Sequence, residues 1–286
     1  MVITSLDFER TGKQQGYLQV PYSHNLGGWA NVMIPCTVVN GGKGGPTALV
    51  LGGNHGDEYQ GQIAAMNLAR ELMPETVRGR IILIPSLNFP AARAATRLSP
   101  LDGMNMNRAF PGDAEGPVTS QIAHYLRTTL FPLSDIVIDI HSGGRSMEFV
   151  PCAHMHLVPD RAQRARMYAA MCAWGTDFAF IYADIAGTGL LPVEAENQGK
   201  TVVTTELGGG ECVPAVIHRI AAFGLRNVLV HTGVLKGKEI TRAAQGKPPA
   251  ILTQALHRED YLLAPESGIF EVTVDLGTKV RKGATV

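Results

Sequence analysis

Runs of aliphatic residues alternate along this chain with stretches of helical periodicity, and that alternation limits the fold more than any other feature. Strand-like runs stand at residues 47–52, 81–85, 136–140, 202–205 and 228–230. Helical patterns lie among them at 59–72, 119–130, 160–173 and 213–223. Continuous apolar strands mark a sheet covered on both faces. The expected fold is therefore α/β: a mixed, mainly parallel sheet flanked by helices. Before residue 41 the pattern reads as extended segments with turns, including 17–20 and 32–39.

A chain of 286 residues buries a sizeable core in one large domain or one domain plus an appendage. The composition shifts near Gly246, which divides the expectation into a catalytic-sized unit over 1–245 and a C-terminal β module over 246–286. In the second part, alternation at 269–274 predicts a strand, and another strand begins just as the sequence reaches Val286. The module is therefore expected to be a partial one.

Lys+Arg and Asp+Glu balance at 25 each, with no basic or acidic block, so neither nucleic acid nor an anionic membrane is an expected partner. No aliphatic run is long enough to span a bilayer, and the first ten residues have no signal-peptide character. Cys36, Cys152, Cys172 and Cys212 are scattered without a Cys-x-x-Cys pair, which points to reduced thiols and a cytoplasmic setting. Whether the chain forms a homo-oligomer stays open.

The chemistry-bearing residues gather where strands end. Gly52-Gly53-Asn54-His55-Gly56-Asp57-Glu58 follows one strand and precedes a helix, so His55 and Glu58, three apart, can face one point. An imidazole and a carboxylate suit zinc, although Glu58 alone would also suit a helix N-terminus. A second strand ends in His141-Ser142-Gly143-Gly144, and a third ends in Glu206 followed by Leu207 and three glycines. In open α/β sheets, sites collect at the carboxyl ends of strands. The expected metal ligands are His55, Glu58 and His141, with Glu206 beside them. His154 and His156, two apart on an extended segment, are the competing pair; they read as a peripheral strand or loop.

Between these points lies a long polar loop, and such loops inside compact domains tend to carry function. It holds Arg97 and then Asn107-Arg108, an amide next to a guanidinium fork that matches a carboxylate held at two points. Asp113 and Glu115 follow directly. On their own they read as candidates for opening the helix near 119.

Taken in order, His-x-x-Glu, Arg, Asp102-Gly103-Met104-Asn105-Met106-Asn107-Arg108, Asp139-Ile140-His141 and Thr205-Glu206-Leu207-Gly208 resemble the zinc carboxypeptidase-like amidohydrolases. The branch is that of succinylglutamate desuccinylase and aspartoacylase, and the likeness covers roughly residues 45–235. The resemblance implies one Zn2+ per chain on His55, Glu58 and His141. It implies Glu206 as general base and then acid, Arg97 as the group that polarises the scissile carbonyl, and Asn107 with Arg108 as the carboxylate clamp. The implied substrate is a small N-acyl amino acid, foremost N-α-acetyl-2,4-diaminobutyrate of ectoine breakdown, with Glu115 as an expected contact for its free amine. It also implies that the C-terminal β module narrows the pocket entrance. That module resembles a lipoyl-like fold without the Met-Lys carrier turn, so covalent lipoyl or biotin attachment is not expected.

N-acetylaspartate, N-succinylglutamate and peptide C-termini remain alternative substrates at this point. A non-catalytic metal-binding protein is the alternative of a different class. Glu206 speaks against it, since a purely structural zinc site is closed by four protein ligands and needs no spare carboxylate.

Overall fold

The computed structural model describes residues 2–42, 44–183 and 188–286. In chain order the strands are β1 (Ile3–Thr4), β2 (Gly12–Pro21), β3 (Asn31–Asn40), β4 (Thr47–Gly52), β5 (Arg80–Ile84), β6 (Ile136–His141), β7 (Cys152–His156), β8 (Phe178–Tyr182), β9 (Thr201–Glu206) and β10 (Ile251–Ala255). The helices are α1 (Tyr59–Glu71), α2 (Phe89–Ala94), α3 (Val118–Tyr125), α4 (Phe131–Leu133), α5 (Arg161–Ala173), α6 (Leu191–Asn197) and α7 (Ala215–His231). One π turn, Leu126–Leu130, joins α3 to α4.

The strands form one mixed sheet in the order β1-β2-β3-β5-β4-β6-β9-β7-β8-β10. Its centre, β5-β4-β6-β9, is parallel. Every residue of β4, β5 and β6 is buried, as continuous apolar runs require of strands covered on both faces. β3 joins β5 and β7 joins β9 antiparallel, while β7, β8 and β10 run parallel to one another.

α1 starts directly on top of this centre because two glycines leave it no side chain to ride over. A Cβ on Gly52 would lie 2.5 Å from the backbone of Gly61, and one on Gly61 would lie 2.6 Å from the carbonyl oxygen of Ile140. The neighbouring atoms are backbone and cannot rotate aside. Gly61→Val should therefore destabilise the fold by about 1–3 kcal/mol through overpacking, read as a lower urea midpoint at unchanged slope.

The structure departs from the sequence expectation in two elements. Residues 228–230 do not form a strand; they end α7, where Val228 and Leu229 are fully buried. A three-residue apolar run looks the same in a buried helix as in a strand. Here it continues the helical spacing of Ile217, Ala221 and Leu225, all buried on one face. The alternation at 269–274 also forms no strand, and Ile269 and Phe270 are 100% and 81% exposed. No sheet edge lies beside it among the described residues, and a lone strand leaves its backbone groups unpaired. β10, past position 245, pairs with β8 and extends the main sheet.

Candidate active site

From β4 the chain crosses to β5 on one side, while β6 lies on the other side of β4. The crevice of an open α/β sheet opens at such a reversal, outside the carboxyl ends of the strands. His55 and Glu58 follow β4, and His141 is the last residue of β6. The register places His141 opposite Glu206, the last residue of β9.

His55, Glu58 and His141 are brought together, with one ligand atom from each lying within 4.8 Å of the others. All three are enclosed, at 2%, 2% and 5% exposure. Glu58 stands at the N-cap position of α1, yet its side chain caps nothing there. One oxygen approaches His55 Nδ1 to 2.7 Å and the other approaches His141 Nδ1 to 2.8 Å. The far nitrogen of each ring is engaged elsewhere. His55 Nε2–H donates to Asn105 Oδ1 (3.0 Å), and His141 Nε2–H donates to Asp139 Oδ2 (2.8 Å). Asn54 Nδ2 donates to the same Asp139 oxygen at 2.9 Å. The carboxylate of Glu58 thus lies between the Nδ1 atoms of the two imidazoles.

A cation in this enclosed space would meet one carboxylate oxygen and two ring nitrogens. Burial alone would raise the Glu58 carboxyl, but His141 and His55 outweigh it and hold it well below the usual carboxylate range. Burial likewise opposes a charged His141, but Asp139 and Glu58 outweigh that and hold its pKa well above the usual histidine range. Two imidazoles, one carboxylate and a carboxylate–histidine pair behind them form a donor set that fits zinc.

Glu206 closes the other side. It is partly exposed as a residue, yet its Oε2 is sealed from water and has no hydrogen-bond partner among the described residues. Burial lifts its carboxyl to about 8; His141 works against that rise, and Glu58 adds to it. Arg97 reaches in from the loop and donates to Glu58 Oε1 at 3.3 Å. Asn107 and Arg108 line the same pocket. The Asn107 carbonyl oxygen accepts from the Leu191 backbone N–H (2.9 Å), which leaves its NH2 as a donor, and Arg108 Nη1 donates to the Asn107 backbone carbonyl (2.7 Å).

Glu115 is not part of this pocket, which corrects the expectation that it meets a substrate amine. It is exposed on the turn before α3. Asp113 Oδ1 accepts its backbone N–H (3.0 Å), and Ser120 Oγ accepts that of Asp113 (2.9 Å), which ties the turn to the helix rather than to the site. His154 and His156 also differ from expectation. They lie on β7, inside the sheet between β9 and β8, and His154 lines the pocket. The residues that support the site were not singled out by spacing. Asn105 and Asp139 lie within motifs already read for their neighbours, whereas Thr204 and Tyr182 sit on strands with no polar pattern to mark them.

A parallel-centred sheet with two histidines and a carboxylate gathered at its switch point, and a second carboxylate beside them, has the frame of a hydrolase. The succinylglutamate desuccinylase/aspartoacylase catalytic domain matches residues 44–232, and the chain belongs to that family. It is 40% identical over 285 residues to the N-alpha-acetyl-L-2,4-diaminobutyric acid deacetylase of Halomonas elongata, covering 100% of this chain and 82% of that protein. Among solved structures it is similar to the product-bound ectoine utilization protein EutE (DoeB) from Ruegeria pomeroyi. That match has a TM-score of 0.88 and 40% identity, over 97% of this chain and 82% of the other. The succinylglutamate desuccinylase/aspartoacylase structure from Rhodobacter sphaeroides gives 0.92 at 40% identity, over 99% and 84%. No helix among the described residues is long and apolar enough to cross a membrane.

Proposed function

We propose that this chain is a zinc-dependent deacetylase of N-α-acetyl-2,4-diaminobutyrate, releasing acetate and diaminobutyrate in the breakdown of ectoine. The observation that supports this substrate is the 40% identity to the Halomonas elongata enzyme, unbroken over 285 residues. The pocket, a cavity of about 240 Å3, suits a single small amino-acid derivative better than a peptide. His55, Glu58 and His141 would hold the ion. Zinc there supplies a Lewis acid that polarises the acyl oxygen and brings the pKa of a water towards about 7.

The chain's own groups carry the rest. Asn107 and Arg108 bind the substrate carboxylate and fix the amide over the centre. Arg97 donates a hydrogen bond to the acyl oxygen as negative charge grows on it. Glu206 takes a proton from the attacking water; the new C–O bond forms, the C–N bond breaks, and Glu206 returns the proton to the departing nitrogen, which leaves as an amine. Burial, which favours the protonated carboxyl, helps Glu206 hold that proton between the two steps. The four cysteines are free, in keeping with a reducing cytoplasm.

The test is amine release from N-acetyl-2,4-diaminobutyrate, N-acetylaspartate and N-succinylglutamate by the purified protein, with and without a chelator. The expected result is preference for the first, abolished by chelation and restored by zinc. Faster turnover of either acidic substrate would replace the substrate assignment, and activity indifferent to chelation would remove the zinc.

A further inference from the structure

Among the described residues, none satisfies Nε2 of His154. The residue is 5% exposed and lines the pocket. β7 runs antiparallel to β9 with His154 opposite Thr204. Thr204 and Glu206 are two residues apart on β9, on the same face, so His154 stands about one strand repeat, roughly 7 Å, along the pocket floor from Glu206. The Thr204 hydroxyl donates to the His154 carbonyl oxygen at 3.0 Å and lies 2.7 Å from His154 Nδ1. With its one proton used, the hydroxyl accepts from Nδ1–H. That fixes the tautomer and leaves the lone pair on Nε2, which is sealed from water and unpartnered.

The rest of that end of the pocket favours a positive ligand. Burial pushes the His154 pKa down to about 3, helped by His156 and His141, so the ring itself is neutral. The Glu196 carboxylate lies behind it, both oxygens 3.0 Å from His156 Nδ1. The ring of Tyr182, with centroids 5.2 Å apart from His154, adds an aromatic surface. Arg97, Asn107 and Arg108 are all donors, suited to the anionic parts of a substrate. An acceptor in the same pocket sorts side chains by sign: an amine donates to it, whereas a carboxylate sets lone pair against lone pair.

We propose that His154 determines which amino acid the enzyme accepts, by taking a hydrogen bond on Nε2 from a protonated amine of the substrate side chain. The assignment rests on the deacetylase reading above, and it places amine recognition on β7 rather than on Glu115. The test compares kcat/KM for N-acetyl-2,4-diaminobutyrate and N-acetyl-2-aminobutyrate, which differ only in that amine, in the zinc-loaded wild type and in His154→Leu and His154→Gln. The wild type should favour the diamino substrate by about 10- to 100-fold. His154→Leu should bring the ratio near one, mainly through KM for the diamino substrate, and His154→Gln, which keeps an acceptor oxygen, should fall between.

A ratio unchanged in His154→Leu while both values fall together overturns the proposal and leaves the deacetylase reading standing. So does a wild type that does not distinguish the two substrates. A wild type that hydrolyses neither overturns both. Should the variants fail to fold, diaminobutyrate and 2-aminobutyrate are titrated into 15N-histidine-labelled wild type. The Nε2 resonance of His154 should move with the diamine alone, and its failure to move overturns the proposal.

Discussion

Glu206→Gln should keep its metal and lose about 10²- to 10⁴-fold in kcat, with KM little changed. The substitution preserves shape and removes only the group that takes and returns a proton. Nothing in the ligand set depends on it: Glu206 is not among the three residues that converge on the ion site. Among the described residues, its Oε2 has no hydrogen-bond partner whose loss would loosen the sheet. The measurement pairs steady-state kinetics with metal content on the same preparation. Full activity with metal retained would remove Glu206 from the mechanism. Loss of metal together with activity would make it a ligand instead.

His141→Ala should act through a different route. On the proposed assignment one of three ligands is lost, so metal content should fall well below one per chain and hydrolysis should drop to background. Stability falls too, because Glu58 and Asp139 remain enclosed at 2% and 0% exposure without the imidazole between them. Removing one partner of a buried charged pair costs about 3–5 kcal/mol. Metal analysis and a denaturant titration read the two effects separately. A variant that retained a full complement of zinc would show that the centre is not built on this residue.

Much of the frame was legible because the central strands are covered on both faces. β4, β5 and β6 could be read from continuous aliphatic runs, and the residues at their carboxyl ends followed from where such sheets place their sites. His55, Glu58, His141 and Glu206 were visible for that reason, each at a strand end beside glycines. What escaped the sequence depended on neighbours it does not announce. β8 has a half-buried pattern, Phe178–Tyr182, that resembles an ordinary surface segment until β7 and β10 flank it. His154 looked peripheral because nothing near it in sequence marks a turn; its burial comes from pairing with β9, fifty residues on. Glu115 erred in the opposite direction. It is close to Arg108 along the chain, but the turn between them is tied to α3 and faces away.

The strand order also governs when the site can come into being. β9 sits between β6 and β7 in the sheet, yet β7 and β8 precede it in the chain. Pairing in order of synthesis would leave a gap beside β6, with Glu206 missing and the floor around Thr204 unformed. His55 and Glu58 emerge together, but His141 arrives only with β6 and the carboxylate base only once β9 has been inserted. The complete centre is thus a property of the finished sheet. An ion bound there would favour the native state over the unfolded chain, so zinc uptake would draw the equilibrium towards the folded sheet. The three proposed ligands need only the ends of β4 and β6, so an ion could be held before β9 brings Glu206 to the site.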